Sequence, residues 1–101
     1  MSKKRFDLTA FAYDKRGRLL AVGRNSYIQT HPLQAKFAKK AGRPQAIYVH
    51  AEMHAIAASR KQIHTLEVFR YNSKGERVTA KPCSICELAI KEFGIKKVVY
   101  K

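Results

Sequence analysis

The chain has 101 residues, 46% of them hydrophobic, and carries 21 lysines and arginines against 7 aspartates and glutamates, a formal charge of +14. That length fits one domain over residues 1–101, and the hydrophobic share excludes an intrinsically disordered chain. Every apolar run falls short of the roughly 20 residues that cross a bilayer, and the start Met1-Ser2-Lys3-Lys4-Arg5-Phe6 has no apolar signal region, so a cytoplasmic protein without membrane contact is expected.

Phe6 to Tyr13 places Phe6, Leu8, Ala10 and Ala12 on one face and Thr9, Phe11 and Tyr13 on the other, the period of a strand. Asp14-Lys15-Arg16-Gly17-Arg18 reads as a turn, and Leu19 to Gly23 as a buried second strand completing a hairpin. From Arg24 to Val49 the periodicity fades around Pro32, Gly42 and Pro44, a long connection of the kind that often carries function, with a basic cluster (Lys36, Lys39, Lys40, Arg43) and a short helix from Gln34 to Lys40. His50 to Arg60 reads as a helix burying Met53, Ile56 and Ala57. Leu66 to Phe69 is a short strand, Asn72-Ser73-Lys74-Gly75 a turn, and Val78-Thr79-Ala80 extends or follows that strand. Pro82 precedes a helix from Cys83 to about Phe93 with Gly94 as its stop, and Ile95 to Tyr100 forms a last buried strand. The order β-β-α-β-α-β predicts an α/β sandwich with two main helices on a mixed sheet.

Two stretches carry chemistry. His50-Ala51-Glu52 and Pro82-Cys83-Ser84-Ile85-Cys86 each open a predicted helix, and together they offer one imidazole and two thiolates, a zinc donor set with one tetrahedral position to spare. Cys83 and Cys86 share one face of a first helical turn, where free amides favour thiolates. A redox pair would not call for His-x-Glu. A structural zinc would need a fourth protein ligand, which His54, four residues after His50 on the same helix face, is placed to supply.

With this joint spacing the sequence resembles the cytidine and deoxycytidylate deaminase family, whose signature is H-x-E followed by P-C-x-x-C. The strongest likeness lies in residues His50 to Ile56 and Pro82 to Ile90, and a looser one runs from Phe6 to Tyr100. The resemblance implies a minimal cytidine-deaminase-like fold, with Zn2+ held by His50, Cys83 and Cys86. It also implies a catalytic Glu52 that moves protons while the metal activates water. Substrate contacts would come from Asn25 at the end of the second strand, from Ala51, and from His31 and Tyr48 in the long connection. A turn-forming Asn25, a solvated His31 and a core or surface Tyr48 are the plainer readings of those residues. His64 reads as a surface or capping residue, and Tyr27 and Tyr71 are further aromatics able to stack a base. Family members commonly carry asparagine or another residue where this chain has His54. They also usually continue with a further strand and helix, so the final strand here would be an edge that favours a homo-oligomer.

A surplus of cations points to polyanionic partners, although Lys and Arg are spread from Lys3 to Lys101 rather than gathered in one run. Three functions fit: a zinc-dependent hydrolase converting cytosine to uracil in a cytidine or deoxycytidine nucleotide, the same deamination of cytosine or adenine in single-stranded DNA or RNA, and a catalytically inactive zinc-stabilised nucleic-acid-binding module. Glu52 argues against the last, because holding zinc does not require it.

Overall fold

The computed structural model describes residues 6–46, 48–80 and 83–101. Strands β1 (Asp7–Tyr13) and β2 (Leu19–Arg24) pair antiparallel. Their turn is fixed by Asp14, whose carboxylate accepts the amides of Arg16 and Arg18 and the Arg18 Nε–H, all at 2.9 Å. On its other side β1 pairs antiparallel with β3 (Thr65–Tyr71) along its whole length. The far edge of β3 is divided between two strands. Thr65 to Val68 run parallel to β5 (Lys97–Tyr100), and Arg70 and Tyr71 run antiparallel to β4 (Arg77–Val78).

Three helices complete the chain: α1 (Pro32–Lys40), α2 (Ala51–Ala58) and α3 (Ser84–Glu92). The sheet is mixed, as expected, because α3 carries the chain across between β3 and the parallel β5. The full order is β-β-α-α-β-β-α-β, longer than the expected β-β-α-β-α-β by α1 and the stub β4. Helix α1 starts at Pro32, two residues before the expected Gln34, since proline's fixed φ suits a first helical position. Pro82, expected just ahead of α3, lies outside the described residues, as does the basic start up to Arg5.

The core follows from the strand period. Ala10 and Ala12 on β1 stand opposite Val68 and Leu66 on β3, and all four are fully buried. Over them pack Met53, Ala55 and Ile56 of α2, Ile85 and Ala89 of α3, and Phe37 and Ala38 of α1. On the reverse face Phe11 and Phe69 meet edge to face at 5.7 Å and stay half-exposed. Helix α3 ends as its sequence suggests: Gly94 takes φ +68, its amide reaches the Lys91 carbonyl at 3.2 Å, and the Ile95 amide reaches the Ile90 carbonyl at 3.1 Å.

Four expectations are corrected. Strand β2 is not buried: among the described residues no strand pairs with its outer edge, Leu19 is 54% exposed, and only Gly23 is fully covered. A Cβ on Gly23 would collide with Ala51 O and Ala55 N, so glycine is what lets α2 lie directly on β2. Ala57 is exposed, because the covered arc of α2 runs through Ala51, Ala55, Glu52, Ile56 and Met53 and ends before Ala57, and the helix stops at Ala58, short of Arg60. The last strand spans only Lys97–Tyr100 and is half-buried, since it pairs with β3 alone. No helix among the described residues is long and apolar enough to cross a membrane.

Candidate metal centre

His50 and Cys83 are the N-cap residues of α2 and α3, both in extended backbone conformation, and neither side chain caps its own helix. Freed from that role, the two side chains converge. The donor atoms of His50, Cys83 and Cys86 all lie within 4.8 Å of one another, with His50 Nδ1 at 3.3 Å from Cys86 Sγ. Donors held about 2.0–2.3 Å from a tetrahedral zinc stand roughly 3.5 Å apart, so the trio fits that ion with modest closure.

The electrostatics favour a cation between the thiols. Two thiols this close share a proton: the hydrogen bond from Cys86, helped by His50, holds Cys83 well below the usual thiol range, and the same contact with burial drives Cys86 far up. The Arg43 guanidinium lies nearby, with Nη1 3.9 Å from Cys83 Sγ. His50 is raised, chiefly by its hydrogen bond to Cys83, against the opposing effect of burial.

Glu52 lies two residues into α2, 2% exposed, and its Oε1 is buried without a hydrogen-bond partner among the described residues. Burial pushes its carboxyl up, opposed by its own backbone amide and by His50. Tyr100 is half-buried, but its hydroxyl is buried without a partner among the described residues, and it is raised first by burial and then by the charge of Glu52.

A cavity of about 400 Å³ opens above the trio. His50, Ala51, Glu52 and Cys83 line its base, and Asn25, Tyr27, Tyr48, Phe6, Leu8 and Arg70 its walls. Its volume lies within the range of small-ligand sites. Of the expected substrate contacts, Asn25, Ala51 and Tyr48 are therefore brought together. Asn25 is also a brace: its Oδ1 accepts the Leu8 amide and its Nδ2 donates to the Phe6 carbonyl, both at 2.9 Å.

His31 is not brought to the cavity. Its Nδ1 accepts the Leu33 amide at 3.0 Å and caps α1, a local bond that fixes it on the exposed side of that helix. His54 is no fourth ligand either, because its Nδ1 accepts the Arg24 amide of β2 at 3.0 Å, outside the donor cluster. Tyr71 lies outside the cavity wall while Tyr27 belongs to it.

Three contributors escaped the sequence reading as site residues: Gln34, Arg43 and Arg70. Gln34 is fully buried on α1, accepts the His50 amide at 3.3 Å and donates to the Ala46 carbonyl at 3.2 Å, so it holds the backbone that aims the imidazole. A polar residue among the apolar positions of a short helix was the only sequence signal.

Over its whole length, residues 1–101, the chain matches the family described as the cytidine and deoxycytidylate deaminase zinc-binding region. The chain belongs to this family. Its His50, Cys83 and Cys86 are positioned so that they could hold a zinc ion. No curated protein matches the chain by sequence. Among solved structures it is similar to a mutant cytidine deaminase from Mycobacterium tuberculosis, at 17% identity and a TM-score of 0.52. That likeness covers 93% of this chain and 66% of the other, and it establishes the shared cytidine deaminase fold of a mixed sheet with helices.

Proposed function

We propose that this family member hydrolytically deaminates cytosine to uracil in a cytidine or deoxycytidine nucleotide. The observation that carries the reading is Glu52: a buried carboxylate with an unpartnered oxygen at the base of a cavity, two residues from one zinc donor. Burying a carboxylate with one oxygen unpartnered is costly, and a proton-transfer role accounts for it where packing does not. Zinc, when bound, supplies water made acidic enough to attack near neutral pH.

The rest falls to the chain's own groups. Glu52, its affinity for protons raised by burial, takes the proton from the attacking water. It then delivers that proton to the ring nitrogen as oxygen adds at C4. A second transfer through Glu52 lets the amino group leave as ammonia and the carbonyl form. Asn25 and the aromatic walls of Tyr27 and Tyr48 orient the nucleoside.

The test is ammonia release by zinc-loaded protein from dCMP, cytidine, adenosine and single-stranded oligonucleotides. Glu52→Gln should lower turnover by roughly 100- to 10,000-fold while leaving the zinc content unchanged. Full activity in that variant refutes the assignment, and a zinc-replete wild-type protein inert on every substrate supports the inactive binding module instead.

One observation favours a polynucleotide substrate as the second reading. At the opposite end of the sheet, a cavity of about 370 Å³ gathers Lys15, Arg16, Arg18, Lys61 and Lys96, with Asp14 as its one carboxylate. Such a cluster can hold a backbone phosphate away from the reacting base. Turnover confined to oligonucleotides, and collapsing as salt rises, would select this reading.

A further inference from the structure

Strand β3 turns alternate side chains toward the helices, and Leu66 and Val68 are the fully buried members of that set. The next position of the same parity is Arg70, opposite Leu8, so a guanidinium stands on the core face where the next apolar residue of the pattern belongs. At that point the core face is no longer covered by helix, and it forms the wall of the cavity above the zinc donors. Arg70 is half-buried and forms no ion pair among the described residues. Its Cζ lies 3.8 Å from the centroid of the Phe6 ring, which supports the flat of the guanidinium and leaves its N–H edge for a ligand. Arg70 is the one lysine or arginine among the described residues lining this cavity.

We infer that Arg70 is the phosphate anchor of this cavity, selecting a substrate whose sugar carries a phosphate ester over the bare nucleoside. This rests on the deaminase reading for the identity of the base, but not for the anion. An unpaired guanidinium fork on a cavity wall matches two phosphate oxygens at once, and a half-buried setting strengthens the contact compared with one in open solvent. The cluster of Lys15, Arg16, Arg18, Lys61 and Lys96 lines a separate cavity at the opposite end of the sheet, away from the donors, so it does not serve a phosphate on a nucleoside bound here.

The experiment compares dCMP with deoxycytidine, two ligands identical except for the phosphate. For zinc-loaded wild type, kcat/KM should favour dCMP, and Arg70→Gln should lower the ratio of the two values by roughly 10- to 100-fold. Arg70→Lys keeps the charge without the fork and should fall between them. Lys74→Gln removes one positive charge at the exposed turn between β3 and β4 and should leave the ratio at its wild-type value. An unchanged ratio in Arg70→Gln overturns the inference, because equal losses on both substrates mean that the arginine merely supports the wall. An equal drop in Lys74→Gln also overturns it, since net charge would then suffice. If wild type deaminates neither compound, the same ratio is read from calorimetric affinities for dCMP and deoxycytidine in zinc-loaded Glu52→Gln, with and without Arg70→Gln. A preference for dCMP that Arg70→Gln abolishes then upholds the phosphate anchor while refuting the free-nucleotide deaminase reading, and equal affinities overturn the anchor.

Discussion

Replacing Gly23 with alanine probes the contact that seats the zinc-bearing helix on the sheet. The added methyl would collide with Ala51 O and Ala55 N and come within 3.0 Å of Ala55 Cα, all backbone atoms of α2. No side-chain rotation relieves such a clash, so α2 must retreat by on the order of 1 Å to restore ordinary carbon contacts near 3.5 Å. Overpacking of this kind costs about 1–3 kcal/mol, and an overlap with backbone on both sides belongs at the upper end. For a domain of this size 3 kcal/mol corresponds to a fall in Tm of roughly 12–24 °C. Because His50 sits at the start of α2, the same retreat pulls the imidazole from the two sulfurs, and zinc affinity should drop about 10-fold or more. Thermal melts of the metal-free protein and zinc titration against a chromophoric chelator measure the two effects separately. An alanine variant that melts within about 2 °C of wild type and binds zinc equally well would refute the close-packing account.

Two further perturbations test the surroundings of the site. Gln34→Leu strips partners from the His50 amide and the Ala46 carbonyl and should cost about 2–4 kcal/mol in urea unfolding, with weaker zinc binding; wild-type values in both would deny Gln34 its role in aiming His50. Asp14 is held below its usual carboxyl value, first by the Arg18 amide, so its contribution is fully present above pH 3.8 and is lost as pH falls through the folded value. Acid titration of wild type and Asp14→Asn should therefore show a stability gap that closes at low pH, and a constant gap would contradict that linkage.

Much of this architecture was legible because it is locally encoded. The turns at Asp14 and Asn72, the glycine stop at Gly94 and the donors at two helix starts each depend on a few neighbouring residues. What failed depends on partners distant in the chain. The run Leu19 to Val22 looks like an interior strand until β2 proves to have one neighbour, and His54 looks like a ligand until the Arg24 amide claims its ring. Arg70 was missed for a different reason. The strand was expected to end at Phe69, which removed the one position where a charge interrupts the Leu66, Val68 alternation.

The withheld caps at His50 and Cys83 give this fold a thermodynamic asymmetry. A serine or aspartate at either position would offer its helix a side-chain acceptor worth about 1 kcal/mol, so the wild-type residues leave two helix starts weaker than these positions allow. A metal held by His50, Cys83 and Cys86 would offset that deficit, and its binding energy would become part of the energy of folding. Engineering for robustness alone would therefore select substitutions at the two residues the chemistry can least spare, and loss of metal would be felt as fraying of the two helix starts at the base of the cavity before it was felt in the core.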